Sequence, residues 1–229
     1  MLIDSHSKIA FISIPKTGST SIMSFLNPSS LKYPPEIYHA YASECLNFDP
    51  TFLHNKDFSF SRSPFKFFKR KQHLDIENFT FVAIIREPLE RLASLFYDIK
   101  LNNNHPTLSH LLVLKNFNDF LEYYLSHNVL DLPRHLMPQY FYIETSIKKK
   151  TKLFMFEDIK LCFNYLKYDY FFSKNTLPHL RKNTSGNMSC DYRDIYDDSK
   201  ASIRRMKEIL ADDYILYNSL LKIRKNSFL

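Results

Sequence analysis

The chain has 229 residues, and 45% of them are hydrophobic, which excludes a disordered protein and fits one globular α/β domain. The 31 Lys and Arg residues outnumber the 24 Asp and Glu residues and give a net charge of +7, which favours anionic ligands or surfaces. Three widely spaced cysteines, Cys45, Cys162 and Cys190, argue against a disulfide framework and a zinc site and favour a reducing compartment.

Hydropathy gives no sign of a membrane segment. No apolar run approaches the ~18 residues that a membrane span requires. The N-terminal residues MLIDSH lack the basic and apolar regions of a secretory signal peptide. We therefore expect a soluble protein without a transmembrane segment.

The stretch from Lys8 to Leu26 predicts a buried strand, a tight turn and the beginning of a helix. Residues 9–14 are mostly apolar, Pro15 and Lys16 follow them, and apolar residues resume at helical spacing from Ile22. Hydroxyl side chains crowd the turn, and the unpaired N–H groups of a helix start, together with the Lys16 ammonium, would bind an anion. The alternative is an ordinary turn whose Ser and Thr side chains only cap the helix.

Glycine is rare in this chain, which makes its position in the turn informative. Only Gly18 and Gly186 are present, whereas average usage would give about sixteen glycines in a chain of this length. We infer that Gly18 serves a required backbone geometry and lets the backbone come close to a bound group.

The rest of the chain alternates predicted strands with predicted helices. In chain order the predicted elements are a short helix over Ile37–Leu46, a strand over Phe79–Ile85, a helix over Leu89–Lys100 with Pro88 at its first position, a helix over Phe117–His127, helix or loop over His135–Ile143, a strand over Lys152–Phe156, a helix over Ile159–Leu166, and helices over Ser199–Leu210 and Asp213–Ile223. The alternation predicts an α/β sandwich with a parallel sheet. Right-handed crossovers would bring the loops after the first two strands to one edge of that sheet.

A second set of polar residues follows the second strand. Arg86 stands at the end of that strand, and Arg91, Ser94 and Asp98 share one face of the helix after it. A fixed guanidinium and a helix hydroxyl together suit a phosphate group. The alternative is that both arginines only form surface pairs with the neighbouring glutamates.

Both loops resemble motifs of sulfotransferases that use 3′-phosphoadenosine 5′-phosphosulfate (PAPS), a family that includes carbohydrate sulfotransferases and bacterial relatives. PKTGSTS is similar to their 5′-phosphosulfate loop, and REPLERLASLFY is similar to their 3′-phosphate motif. The ATP- and GTP-binding pattern GxxxxGK[ST] is absent, since Lys16 precedes Gly18 and a second glycine is missing. Weaker similarities extend the resemblance over nearly the whole chain, at HAYASE, HLMPQYFYI, LFMFEDI, LPHLRKNTS and DDYILY.

The resemblance implies a three-layer α/β sandwich with a central parallel sheet, in the P-loop-like nucleotide-binding sulfotransferase fold, as a single domain over residues 1–229. It implies an O-sulfating enzyme that moves a sulfuryl group from PAPS to an acceptor hydroxyl, with a carbohydrate or glycolipid as the partner substrate. The other product is 3′-phosphoadenosine 5′-phosphate (PAP), and no metal is required. Golgi members of the family carry a membrane anchor, and this sequence shows no anchor pattern. We therefore expect a cytoplasmic enzyme of the bacterial type.

The resemblance also assigns roles to residues. Its donor-binding residues are Lys16, Thr17, Gly18, Ser19, Thr20 and Ser21 at the 5′-phosphosulfate, Arg86 and Ser94 at the 3′-phosphate, and Arg181 and Lys182 in a late loop over the nucleotide. In that late loop Asn183 stands where some members have glycine. Lys16 is implied to be catalytic as well, acting on the leaving oxygen.

A base must take the proton of the acceptor hydroxyl, and histidine suits that role near neutral pH. We prefer His39 among the nine histidines because HAYASE resembles a segment of bacterial members. His135 is the alternative, and a structural role for either histidine stays open. The basic segment from Arg62 to Lys71 is either a solvated loop or a surface for an anionic acceptor.

Two other functions compete with sulfuryl transfer. A non-catalytic binder of an anionic polymer would fit the +7 charge, but the sequence lacks helix-turn-helix, RRM and KH motifs. A nucleoside kinase would need the missing ATP loop. We therefore expect no nucleic-acid partner, and we leave open a peripheral membrane contact and the oligomeric state.

Overall fold

The computed structural model describes residues 2–4, 8–25, 79–101, 106–143, 151–169 and 201–226. These residues belong to two compact units that interleave along the chain. The first unit takes residues 1–14, 18–84 and 141–180, and the second takes residues 15–17, 85–140 and 181–229. The short helix predicted over Ile37–Leu46 lies outside the described residues.

A four-stranded sheet belongs to the first unit, except for its residue Ile85. Its strands are β1 (Leu2–Asp4), β2 (Ile9–Ile12), β3 (Thr80–Ile85) and β4 (Thr151–Met155), in the order β1-β2-β3-β4. Strand β2 pairs in parallel with β3, whereas β1 pairs antiparallel with β2. The parallel pairing confirms the prediction for the inner strands. The antiparallel edge strand was not predicted, because three residues are too short to show a period.

The described ranges contain six α-helices. They are α1 (Ser19–Phe25), α2 (Pro88–Leu101), α3 (Phe117–Leu125), α4 (Ile159–Asp169), α5 (Ala201–Ile209) and α6 (Ala211–Asn226). Short 3₁₀ helices cover Pro106–Val113, Val129–Asp131, Arg134–Leu136, Gln139–Tyr142 and Phe156–Asp158. The predicted helices in these ranges are confirmed to within a few residues at their ends, and the 3₁₀ helix Pro106–Val113 was not predicted. None of these helices combines the length and apolar character that crossing a membrane requires.

Each unit has its own apolar core. In the first unit, side chains of β2, β3, α1 and α4 pack together, namely Ile9, Phe11, Ile22, Val82, Ile84, Cys162, Phe163 and Leu166. Burial raises the pKa of the Cys162 thiol, so this cysteine is an inert part of the core. In the second unit, α2 and α3 pack with α5, and the predicted apolar face of α3 is buried at Phe117, Phe120, Leu121 and Tyr124.

The start of α2 is fixed by a cap. Glu87 precedes the helix, and its Oε2 accepts a hydrogen bond of 2.6 Å from the Glu90 N–H. Pro88 occupies the first helical position, as predicted, where its missing N–H costs nothing. Arg86 is the residue between the end of β3 and the capping residue Glu87. The cap therefore also restrains the backbone position of Arg86.

Candidate functional site

The turn between β2 and α1 has an unusual backbone. Lys16 and Gly18 both lie in the left-handed region, with φ of 66° and 77°. Few non-glycine residues adopt this conformation, and those that do are enriched at functional sites. The Gly18 carbonyl accepts hydrogen bonds from the N–H groups of Ser21 at 3.1 Å and Ile22 at 3.3 Å, and these bonds begin α1.

Gly18 also has a packing reason to be glycine. A Cβ atom at this position would lie 2.5 Å from Ile159 Cδ1 and 3.2 Å from Phe156 Cε2. Side chains from the 3₁₀ helix Phe156–Asp158 and from the start of α4 therefore occupy the space that a larger residue would need. The sequence predicted a special backbone at Gly18 correctly, but not this close contact within the first unit.

Lys16 forms an ion pair in the second unit. Its Nζ lies 3.2 Å from Asp98 Oδ2 on α2, and the two side chains are 19% and 7% exposed. The sequence placed Asp98 on the same helix face as Ser94 but gave it no role. The sequence feature that could have indicated a role for Asp98 is its spacing of four residues, about one helical turn, from Ser94.

Arg86 connects the two predicted phosphate loops. Its Nη1 donates a hydrogen bond of 3.3 Å to the carbonyl oxygen of Lys16. The loops after β2 and β3 therefore meet within the second unit, as the crossover argument predicted. Arg86 Nε also lies 3.7 Å from Glu90 Oε2, so the predicted pair with a glutamate exists, although Arg86 is only 7% exposed.

The backbone of Arg86 is held by an amide side chain. Arg86 N–H donates to Gln139 Oε1 at 2.9 Å, and Gln139 Nε2 donates to the Arg86 carbonyl at 2.8 Å. Gln139 is fully buried, and its own N–H donates to Asp213 Oδ2 on α6 at 2.8 Å. The sequence matched HLMPQYFYI to the family but assigned no role to Gln139 or Asp213.

Asp213 is a buried carboxyl group with several partners. Burial raises its pKa, and this effect is opposed by the nearby Arg91 charge and by hydrogen bonds from the Gln139 and Tyr140 N–H groups. The Tyr140 bond is 2.8 Å long. Asp213 therefore anchors the segment that carries Gln139, and through it the backbone of Arg86.

Arg91 is a structural clamp. It is fully buried, and its guanidinium donates to the carbonyl oxygens of His135 at 3.2 Å and Met137 at 2.8 Å. The prediction of a surface pair with glutamate is therefore wrong for Arg91. The reason is that α2 turns this face toward the segment before Gln139, where carbonyl groups need donors.

A sequence model of the sulfotransferase family matches residues 1–218 of the chain. The chain belongs to the sulfotransferase family. The match includes both loops and confirms the family that their motifs predicted. No curated protein and no solved structure matches the chain.

Sulfotransferase membership supports sulfuryl transfer in general and a P-loop-like α/β fold in general. Among the predicted site residues, Thr17 and Ser19 are buried, whereas Thr20, Ser21 and Ser94 are half-buried. Lys16, Thr17, Arg86 and Ser94 lie in the second unit, and residues 18–21 lie in the first. The predicted His39, Arg181 and Lys182 lie outside the described residues.

One further acidic group stands beside the sulfotransferase motif. Burial raises the pKa of Glu87, while a 2.6 Å hydrogen bond donated by the Tyr214 hydroxyl and the cap bond from Glu90 N–H oppose the rise. Within the described ranges, no group of three or more His, Cys, Asp or Glu side chains could hold a metal ion. Independence from metal stays a prediction.

Proposed function

We propose that this sulfotransferase moves a sulfuryl group from PAPS to a hydroxyl group of a carbohydrate or glycolipid. The observation that supports it most is that the loops after two neighbouring parallel strands, which carry Lys16 and Arg86, meet through a 3.3 Å hydrogen bond from Arg86 Nη1 to the Lys16 carbonyl oxygen. An anionic nucleotide with phosphates at two positions needs two such cationic points.

The residues of both loops fit such a donor. Lys16 and Arg86 are largely shielded from water, so their charges act in a medium of lower dielectric than bulk solvent. We propose that residues 16–21 hold the 5′-phosphosulfate, that Arg86 and Ser94 hold the 3′-phosphate, and that Arg181 and Lys182 contribute from the late loop. We also propose one domain over residues 1–229, built as a three-layer sandwich, in a cytoplasmic enzyme.

In the mechanism, the chain supplies position and charge. The bound donor supplies the sulfuryl group and a phosphate as leaving group. Lys16 would donate a hydrogen bond to the leaving oxygen, where negative charge increases in the transition state. His39 would accept the proton of the acceptor hydroxyl at a ring nitrogen, which is available because a neutral imidazole predominates above pH ~6.5.

Nucleotide binding tests the proposal. Calorimetry should show that the wild-type chain binds PAP in preference to ATP. Arg86→Ala should weaken PAP binding by about 1.5–3 kcal/mol, as expected for a hydrogen bond to a charged group, and Lys16→Ala should weaken it as well. Arg205→Ala, at an exposed position of α5, is the matched control and should bind PAP like the wild type. Equal affinity for ATP, or no affinity for PAP, would contradict the proposal.

The base is tested separately. His39→Ala should lower kcat by roughly 100-fold or more while PAP affinity stays near wild type. His135→Ala should lower kcat less, because the described contact of residue 135 with Arg91 uses its backbone carbonyl, which the substitution retains. The reverse order of the two effects would move the role of the base to His135.

The competing function is a non-catalytic binder of an anionic polymer, and the net charge of +7 favours it. Under that function, Lys16→Ala and Arg86→Ala would leave heparin binding nearly unchanged, and no PAP binding would be found.

A further inference from the structure

The strongest unassigned feature is the carboxylate that faces the predicted catalytic lysine. Asp98 Oδ2 lies 3.2 Å from Lys16 Nζ, and both side chains are largely shielded from solvent, at 7% and 19% exposure. Asp98 is on α2, one helical turn after Ser94, the hydroxyl that we propose for the 3′-phosphate. An acid at this place is unexpected for a site that must attract anions.

The pair also involves a conformationally restrained lysine. Lys16 has a φ of 66°, and Arg86 holds its carbonyl oxygen. With the backbone held in this way, the conformational freedom that is left to Lys16 lies in its side chain. The ion pair with Asp98 orients the ammonium group of that side chain. An ammonium group has three donors, so Lys16 can keep one bond to Asp98 and offer others to an anion.

We propose that Asp98 is a positioning residue that holds the Lys16 ammonium before the donor binds and keeps the binding of PAP weak enough for release. This inference rests on the proposed function. Its negative charge offsets the charge of Lys16 in the empty site and repels the phosphate of the product. Because the pair is shielded from water, the repulsion is screened less than on an exposed surface.

Asp98→Asn is the decisive variant, since it keeps the shape and removes the charge. We expect it to bind PAP roughly tenfold more tightly than the wild type, with slower dissociation in stopped-flow measurements. Without PAP its Tm should fall, because a shielded ammonium loses its counter-ion. Saturating PAP should then raise the Tm of Asp98→Asn by more than that of the wild type.

Two controls separate charge at this position from other effects. Asp131→Asn makes the same charge change at an exposed position of the same unit and should leave PAP affinity at the wild-type value. In a Lys16→Ala background, Asp98→Asn should tighten PAP binding by clearly less than tenfold, because only the direct repulsion between Asp98 and the phosphate is then left to remove. A full tenfold gain in that background would overturn the proposal.

A purely structural ion pair would give a different pattern. Asp98→Asn would then lower the Tm equally with and without PAP and would not tighten PAP binding, and this outcome overturns the proposal. If Asp98→Asn does not fold, Asp98→Glu replaces it. This variant retains the charge and should keep PAP affinity within about threefold of the wild type, so tenfold tighter binding would also overturn the proposal.

Failure of the proposed function gives a separate result. If the wild type and all variants fail to bind PAP, the proposed function is wrong, and inorganic sulfate becomes the probe of Asp98. Sulfate should then raise the Tm of Asp98→Asn more than that of Asp131→Asn. Equal sulfate responses would overturn the role of Asp98 as a counter-ion.

Discussion

Two left-handed residues define the turn that follows β2. Lys16 combines this backbone with a side chain paired to Asp98, and Gly18 combines it with a close approach to Ile159 and Phe156. The glycine is thus required by conformation and by packing, whereas the lysine adopts a backbone conformation that non-glycine residues seldom adopt.

Gly18→Ala should therefore destabilise the protein. A methyl group at this position would meet Ile159 at 2.5 Å, and alanine tolerates a φ of 77° poorly. We expect a loss of about 1–3 kcal/mol in the free energy of unfolding, measured by urea denaturation.

Lys8→Gly is the informative comparison for Gly18→Ala. Lys8 is exposed and has a φ of 57°, so glycine there would relieve strain instead of creating it. Its free energy of unfolding should change by less than about 1 kcal/mol. A Gly18→Ala protein as stable as the wild type would show that α4 moves aside easily.

Some features of the candidate site could be predicted from sequence and others could not. The scarcity of glycine predicted the special backbone at Gly18, and the two charged motifs predicted that the loops of Lys16 and Arg86 lie together, because these signals are local. The anchors Gln139 and Asp213 were missed, since their bonds join residues 53 and 74 positions apart. Hydrophobic periodicity contains no information about such distant polar pairs.

The N-terminal end of α2 lies directly beside Arg86, a residue of the candidate site. Glu87 caps this helix, accepts a 2.6 Å bond from Tyr214 on α6, and adjoins Arg86. Its carboxylate is thus held by two elements while burial raises its pKa. An acidic residue at a helix start is favourable for the helix dipole, whereas its burial opposes the charged form.

Glu87→Gln should change how stability depends on pH. A carboxyl group with a raised pKa in the folded state binds more protons folded than unfolded. Its contribution to the free energy of unfolding therefore falls as the pH rises from its ordinary pKa of 4.5. Glutamine lacks this loss, so the stability of Glu87→Gln relative to wild type should increase between about pH 4.5 and pH 7.

Urea denaturation of both proteins across this pH range gives the measurement. Glu122→Gln, at an exposed position of α3, is the control, and its stability relative to wild type should stay nearly constant. A constant difference for Glu87→Gln as well would mean that the Tyr214 and Glu90 hydrogen bonds fully offset the burial of this carboxyl group.

Elements with a strong period were predicted best. Strand β3 and helix α3 appear within a few residues of their predicted ends, because apolar runs and apolar faces are long enough to count. The 3₁₀ helix Pro106–Val113 and the edge strand β1 were missed. The former has a period between those of helix and strand, and the latter is stabilised by pairing with β2.

At the scale of the whole molecule, the interleaving of the two units could not be read from the sequence. Composition changes little along the chain, and residues 15–17 leave the first unit for the second in the middle of one motif. This exchange places Lys16 in the unit that also contains Arg86 and Asp98. Because both units are built from several segments of the chain, a cut at any one position would divide at least one of them. That the chain forms a single domain over residues 1–229 is still a prediction.

The net charge of the whole chain leads to a prediction about the acceptor. Cations exceed anions by seven, and five of the cations fall between Arg62 and Lys71, outside the described residues. We expect this segment to bind an anionic acceptor and to make no contribution to nucleotide binding. Replacing Lys69, Arg70 and Lys71 with glutamine should raise the KM for a carboxylated oligosaccharide and leave PAP affinity unchanged. Since each exposed ion pair contributes about 0.2–1 kcal/mol, the rise should be roughly three- to hundredfold.

The matched control for this charge change is glutamine at Arg205, Lys222 and Lys225, three exposed cations of α5 and α6. It removes the same net charge, so a loss of long-range attraction alone would raise KM equally in both triple variants. The segment is an acceptor surface only if its own variant shows the larger rise and if that difference shrinks at high salt, where exposed charges are screened. An unchanged KM in the segment variant would contradict this prediction and identify residues 62–71 as a solvated loop. It would favour an uncharged acceptor molecule over an anionic one.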